Sequence, residues 1–252
     1  VTDSMNPYFW LIGELIQEVY TRWLNNKMMH TAANNDLNRQ FYYTHNGGSY
    51  DDLAKEIRRF NKLSHDAKLY TFLDNHDEAH VYEKLNNAEH HYLMTMLLYT
   101  LHGYPAVCCG SEFSAGWANN RAKMAGGPAE GSRPLLKLAD YKEFYTSDEI
   151  TYLHCLLGRA NQQFLELSEG SYRELLVTKG QLAFARMLGK SAIITAVNKE
   201  SRMVRVEIPL PFHAKKAVDL LEAVIHWEKE PDVSLDIFGC RRMIVKDNKL
   251  TL

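Results

Sequence analysis

The apolar run Leu69-Tyr70-Thr71-Phe72-Leu73 passes without a spacer into Asp74-Asn75-His76-Asp77. An apolar stretch of that length, ended by Asx residues, predicts a strand buried on both faces, and such strands belong to parallel sheets flanked by helices. Acids and a histidine just past the end of such a strand are held rigidly by it and exposed by the following loop, which is where an α/β barrel does its chemistry. A second strand end of the same kind lies upstream, at Phe9-Trp10-Leu11-Ile12-Gly13-Glu14. Two strand-end carboxylates on one face, Glu14 and Asp77, suit cleavage of a glycosidic bond by an acid and a charge stabiliser. Taken alone, Asp74 and Asn75 read as a turn, because Asn and Asp side chains bond their own backbone.

A third segment, Gly103-Tyr104-Pro105-Ala106-Val107-Cys108-Cys109-Gly110-Ser111-Glu112, follows in order. Together the three resemble the α-amylase family of glycoside hydrolases. Residues 72–77 are similar to the motif Phe-Val-Asp-Asn-His-Asp that ends the family's seventh barrel strand. Residues 9–14 resemble its fifth-strand motif, which ends in Gly-Glu, and residues 103–112 its eighth-strand segment, Gly-x-Pro-x-x-Tyr-Tyr-Gly-x-Glu. Two positions depart from the pattern: His80 stands where the family often has Arg, and Cys108 and Cys109 replace the tyrosine pair.

The resemblance implies that Glu14 is the general acid/base and Asp77 the carboxylate that stabilises the transition state. It implies that His76 bonds sugar hydroxyls and that Asn75 fixes the loop. The family's nucleophile, in an Arg-x-Asp motif after the fourth strand, has no counterpart before Glu14. The expected fold is therefore α/β: the C-terminal half of a (β/α)8 TIM barrel over residues 1–168, from the fifth βα unit, then an all-β antiparallel sandwich over 169–252. On this reading residues 1–7 end the helix before the fifth strand, and the chain is the C-terminal part of a longer enzyme. The open half barrel would associate with the missing half or with a second copy, because four barrel strands leave two edges and an apolar face uncovered.

Composition fits. A hydrophobic fraction of 46% argues against disorder and provides for a sizeable core. Lys and Arg number 29 against 31 Asp and Glu, a net charge of -2 with no basic run, so nothing invites nucleic acid or an acidic membrane. Residues 92–110 carry no formal charge over about the length of a bilayer span, but Gly103 and Pro105 interrupt them. A helix over 89–101, a turn and a strand through Ala106-Val107-Cys108-Cys109 account for the same residues. Cys108, Cys109, Cys155 and Cys240 lack metal-site spacing, and adjacent Cys108 and Cys109 would point to opposite faces of a strand. We read all four as free thiols, hence a cytoplasmic location, with no metal or other cofactor indicated and calcium binding left open.

Between the motifs, Met28-Met29-His30-Thr31-Ala32-Ala33 is the candidate sixth strand, and Asp36 behind it reads as a loop residue. Ser49 is placed to cap a helix bearing Leu53, Ile57 and Phe60 on one face. Ser147 starts another helix, with Ile150, Leu153, Leu157 and Phe164 at helical spacing. Residues 125–132, rich in glycine, read as a surface loop. After Gly170 short alternating runs at 174–178, 182–187, 191–197 and 203–208, then 218–221, 233–238 and 242–245, predict antiparallel strands. The expected activity is retaining hydrolysis of α-linked glucans or maltooligosaccharides. Two alternatives stay open: a degenerate barrel that binds glycans or partners without cleaving them, and a transglycosylase of the same fold.

Overall fold

The computed structural model describes residues 6, 8–15, 22–24, 28–63, 68–113, 149–211, 213, 218–221, 244–246 and 248–252. The expected loop at 125–132, the strand at 233–238, Ser147, Cys240 and most of 1–7 lie outside them.

Four short strands, β1 (Ile12–Gly13), β2 (Thr31–Ala32), β3 (Tyr70–Phe72) and β4 (Tyr104–Ala106), run in chain order. β1 pairs in parallel with β2, and β3 with β4. A parallel bridge from Ala33 to Tyr70 joins the two pairs. Parallel neighbours need long crossovers. Here α1 (Asn35–His45) and α2 (Tyr50–Leu63) link β2 to β3, and α3 (Val81–Lys84) and α4 (His90–Thr100) link β3 to β4.

The sequence explains the helices locally. Asn34 caps α1, its side chain accepting from the Leu37 amide at 3.2 Å, and Asp36 sits in the first turn where the helix dipole favours a negative charge. Asp36 is thus helical, not the loop residue its composition implied, and it pairs with Arg39 at 2.6 Å and Arg59 at 2.5 Å. Ser49 Oγ accepts from the Asp51 amide at 3.1 Å to open α2. The predicted stripe Leu53, Ile57 and Phe60 is buried, each side chain stabilising by about 1.5–3 kcal/mol. α4 is apolar almost all round and packs on α5 (Glu149–Gln163), whose Ile150, Leu153 and Leu157 meet Tyr92, Met96 and Tyr99. Phe164 lies just past α5, as the N-cap of the short α6 (Leu165–Glu169).

β4 comes earlier than expected. It spans Tyr104–Ala106 with Pro105 inside it, opposite Thr71, while Cys108 and Cys109 fall in the turn beyond. Proline is tolerated because β4 bonds to β3 on one side only among the described residues, so its missing N–H breaks no second ladder.

The second region is antiparallel. β5 (Ser171–Val177), β6 (Gln181–Leu188) and β7 (Ser191–Asn198) form one meander, with a bulge between Glu174 and Leu176. β8 (Glu207–Pro209), β9 (Ile244–Lys246) and β10 (Lys249–Thr251) form a second antiparallel sheet, in the order β8-β10-β9. Ala183, Ile208 and Leu250 join the two sheets in one apolar cluster. Three expectations shift here. Extended structure at 203–208 shrinks to β8, and Met203 is 83% exposed. Leu220 and Leu221 are helical rather than strand, and β10, the central strand of its sheet, is a gain.

The two regions share apolar ground. Leu182, Phe184 and Val197 belong to the same buried cluster as Leu53, Phe60, Leu69 and Leu97. Arg186, fully buried, donates to the carbonyls of Gly170 (2.7 Å) and Thr100 (3.3 Å), so its desolvated guanidinium is satisfied by backbone on both sides of the seam. Burial pushes its pKa down to about 10. Lys199 adds a second tie, donating to the carbonyls of Thr44 (3.1 Å) and Gly48.

Candidate active site

β1 and β3 are separated by β2 in a parallel array, so the residues that follow them emerge at the same end, with the strand axes about 10 Å apart from two inter-strand spacings. Glu14 comes directly after Gly13 and is exposed. The adjoining backbone is tied into the array: Gly13 O accepts from Ala33 N at 3.0 Å, and Tyr70 O from Asn34 N at 3.0 Å. Glu14 also acts on its neighbour across the array, since the Tyr70 hydroxyl is pushed to higher pKa first by burial and then by the negative charge of Glu14.

The end of β3 is braced from outside. Asn38 Nδ2 donates to the carbonyls of Phe72 (3.1 Å) and Leu73 (2.8 Å), and the Tyr42 hydroxyl donates to Leu73 O at 2.6 Å. Asp74 then turns inward and is buried. The chain loops out, carrying Asn75, His76 and Asp77. Asn75 Oδ1 accepts from the Asp77 amide at 3.0 Å, closing a small Asx turn. His76 Nε2 lies 3.4 Å from Asp77 Oδ1, and the two side chains are 49% and 57% exposed. The four residues singled out from sequence thus fall into two groups: Asn75, His76 and Asp77 on one loop, and Glu14 on a strand end two strands away.

Three residues near this loop escaped the sequence reading of the site. Asp74 Oδ2 lies 2.7 Å from His80 Nδ1 and accepts from the Val81 amide at 2.9 Å, and Ser111 Oγ is 2.7 Å from both carboxylate oxygens. A carboxylate only accepts, so His80 Nδ1 carries the hydrogen. All three side chains are buried. The contacts span 6 and 37 residues in sequence, beyond any local pattern; the sole hint was that Asp74, His80 and Ser111 lie in or beside the motifs. Gly110, at φ +104°, turns the chain so that Ser111 can reach Asp74. Cys108, half-buried nearby, has its thiol pushed up to about 11 by burial and then by Asp74, so it stays protonated and unreactive.

Among the described residues, no group of three or more His, Cys, Asp and Glu side chains could hold a metal ion, and no helix is long and apolar enough to cross a membrane.

No protein-family model matches the sequence, and no curated protein sequence matches it. Solved structures do. An α-amylase from Anoxybacillus matches over 99% of this chain and 51% of its own, with a TM-score of 0.73 at 19% identity. A Nostoc punctiforme debranching enzyme, soaked with acarbose, matches over 100% and 50%, TM-score 0.72, at 18% identity. A cyclomaltodextrin glucanotransferase matches over 88% and 45%, TM-score 0.71, at 19% identity. The chain therefore has the fold of α-amylase-type enzymes, and it spans about half the length of the structures it matches.

Proposed function

We propose that this chain carries the acid/base and the transition-state-stabilising carboxylate of a retaining α-glucan hydrolase of the α-amylase family. Residues 1–168 are its fifth to eighth barrel units and 169–252 its C-terminal β-sandwich. One observation carries the reading: Glu14 and the Asn75-His76-Asp77 loop emerge at the same end of one parallel array, each directly after or close behind a strand. A contact between the ends of the array supports the barrel: Trp10, just before β1, and Tyr104, the first residue of β4, meet edge to face with ring centroids 5.1 Å apart.

In the first step Glu14 gives its proton to the glycosidic oxygen as the bond to the anomeric carbon breaks, and a carboxylate from outside this chain forms a glycosyl ester there. Asp77 stabilises the oxocarbenium-like transition state, whose positive charge develops on the ring. In the second step Glu14 takes a proton from water as the oxygen attacks, releasing sugar and restoring both carboxyl groups. His76 binds hydroxyls of the same sugar, and Asn75 holds the turn. No cofactor is assigned a step, and the cysteine pattern supports work in the cytoplasm.

The glucanotransferase among the similar structures keeps transfer open as a second reading, in which a sugar hydroxyl replaces water. Product analysis on maltooligosaccharides separates the two. For the mechanism, Glu14→Gln in the protein completed by its other barrel half should lower turnover of starch by about 10²- to 10⁴-fold. A maltosyl fluoride, whose leaving group needs no proton, should keep most of its first step. Undiminished starch hydrolysis would end the assignment of Glu14.

A further inference from the structure

The loop that bears Asp77 is exposed at its tip and sealed at its base. His76 and Asp77 are about half exposed, whereas Asp74, His80 and Ser111 are each 3% exposed. The base closes on itself. Asp74, where the loop leaves β3, takes the Val81 amide and the His80 ring, where the loop returns to start α3. Ser111 fastens the same carboxylate to the segment after β4. The Asx turn from Asn75 to Asp77 nests inside this outer closure.

We propose that His80 is a positioning residue for Asp77: through its Nδ1–H bond to Asp74 it fixes where the exposed carboxylate stands against the sugar ring. This rests on the glycosidase reading and deepens it. The reasoning is mechanical. The half-exposed Asp77 rides on the backbone from 75 to 79, and that backbone starts and ends at closures that converge on one buried carboxylate. That carboxylate needs its donors, because an unpaired buried charge is costly and the loop would reopen to reach water. Displacing a group that stabilises the transition state by about 1 Å can cost about 10²-fold in rate without weakening substrate binding to match.

The side-chain chemistry supplies a discriminating set of variants. Asn at position 80 presents an N–H close to where Nδ1–H now lies, Leu fills similar space without a donor, and Ser111→Ala removes the hydroxyl alone. In the completed protein acting on a maltooligosaccharide, His80→Leu should lower kcat by about 10- to 100-fold with KM within about twofold. Ser111→Ala should act in the same direction by less, and His80→Asn should recover most of the lost kcat. Amide hydrogen exchange over residues 75–79 should quicken in His80→Leu and Ser111→Ala and stay near the parent in His80→Asn. Parent-like kcat in a folded His80→Leu, a rise in KM at constant kcat, or equal losses in the Asn and Leu variants would each overturn the proposal. If His80→Leu fails to fold, unchanged kcat and unchanged exchange in Ser111→Ala overturn it. A parent that cleaves no α-glucan would sink the glycosidase reading instead, and the exchange pattern would still decide whether the clasp holds the loop.

Discussion

Asp77 stands half in solvent while Asp74, three residues earlier, is buried, so the two carboxylates sit in opposite surroundings. A buried acid with three donors is spent on structure. An exposed one on a braced loop is available to a substrate. On the proposed mechanism the charge of Asp77 matters most as the sugar ring becomes cationic, so Asp77→Asn should depress kcat by about 10²- to 10³-fold and leave KM nearly unchanged. Steady-state kinetics on a maltooligosaccharide checks this, and an effect confined to KM would make Asp77 a binding residue only. At this scale the sequence disclosed which residues lie at strand ends, since a motif is local. It hid the partners of Asp74, which reads as a turn former until Ser111 arrives from 37 residues away.

Strand β4 depends on one residue before it. Gly103 has φ +126°, and a Cβ there would come within 2.6 Å of the Leu69 carbonyl, at the point where Tyr104 N bonds that same oxygen at 3.0 Å. Gly47 has a similar φ of +123° with nothing within 4 Å. Gly103→Ala should therefore lose more stability than Gly47→Ala: both incur the backbone strain of about 1–3 kcal/mol, and Gly103→Ala adds the clash. Denaturant unfolding of the two variants measures the difference, and equal losses would mean that the approach to β3 is not tight. Element type was legible where periodicity is strong, as in α2 with Leu53, Ile57 and Phe60. It failed where residue chemistry is ambiguous. Asn34-Asn35-Asp36 suits a loop and a helix start equally, and became the cap and first turn of α1. Pro105 reads as an interruption ahead of its strand and lies inside it, where pairing on one side only, among the described residues, spares its missing N–H.

At the scale of the whole molecule, the parallel strands with their helices and the β-meander close over one apolar cluster pinned by Arg186 and Lys199, and several histidines are buried around it. Burial lowers His45 to about 3, helped by repulsion from His90 and Lys199; it lowers His91 to about 3, helped by His154, and His154 itself to about 4. Their ordinary value is 6.5, so between 6.5 and the lowered values the unfolded chain binds more protons than the folded one. Stability is then complete above 6.5 and falls as pH drops, by about 1.4 kcal/mol per pH unit for each buried histidine. The melting temperature should be level from pH 8 to about pH 7 and decline steadily towards about pH 5; a flat profile to pH 5 would mean that these rings are already protonated in the fold. No sequence pattern disclosed this, because burial of a histidine is decided by what packs over it. The proposed function divides the labour: Glu14 and Asp77 of this chain would work with a nucleophile carried on another stretch, which would also cover the parallel strands. The direct measurement is amylolytic activity and molar mass of residues 1–252, alone and with a separately supplied N-terminal half of an α-amylase-type barrel. Alone, the chain should associate and release no sugar from starch; with its other half it should become active. A monodisperse monomer that hydrolyses starch by itself would contradict the account.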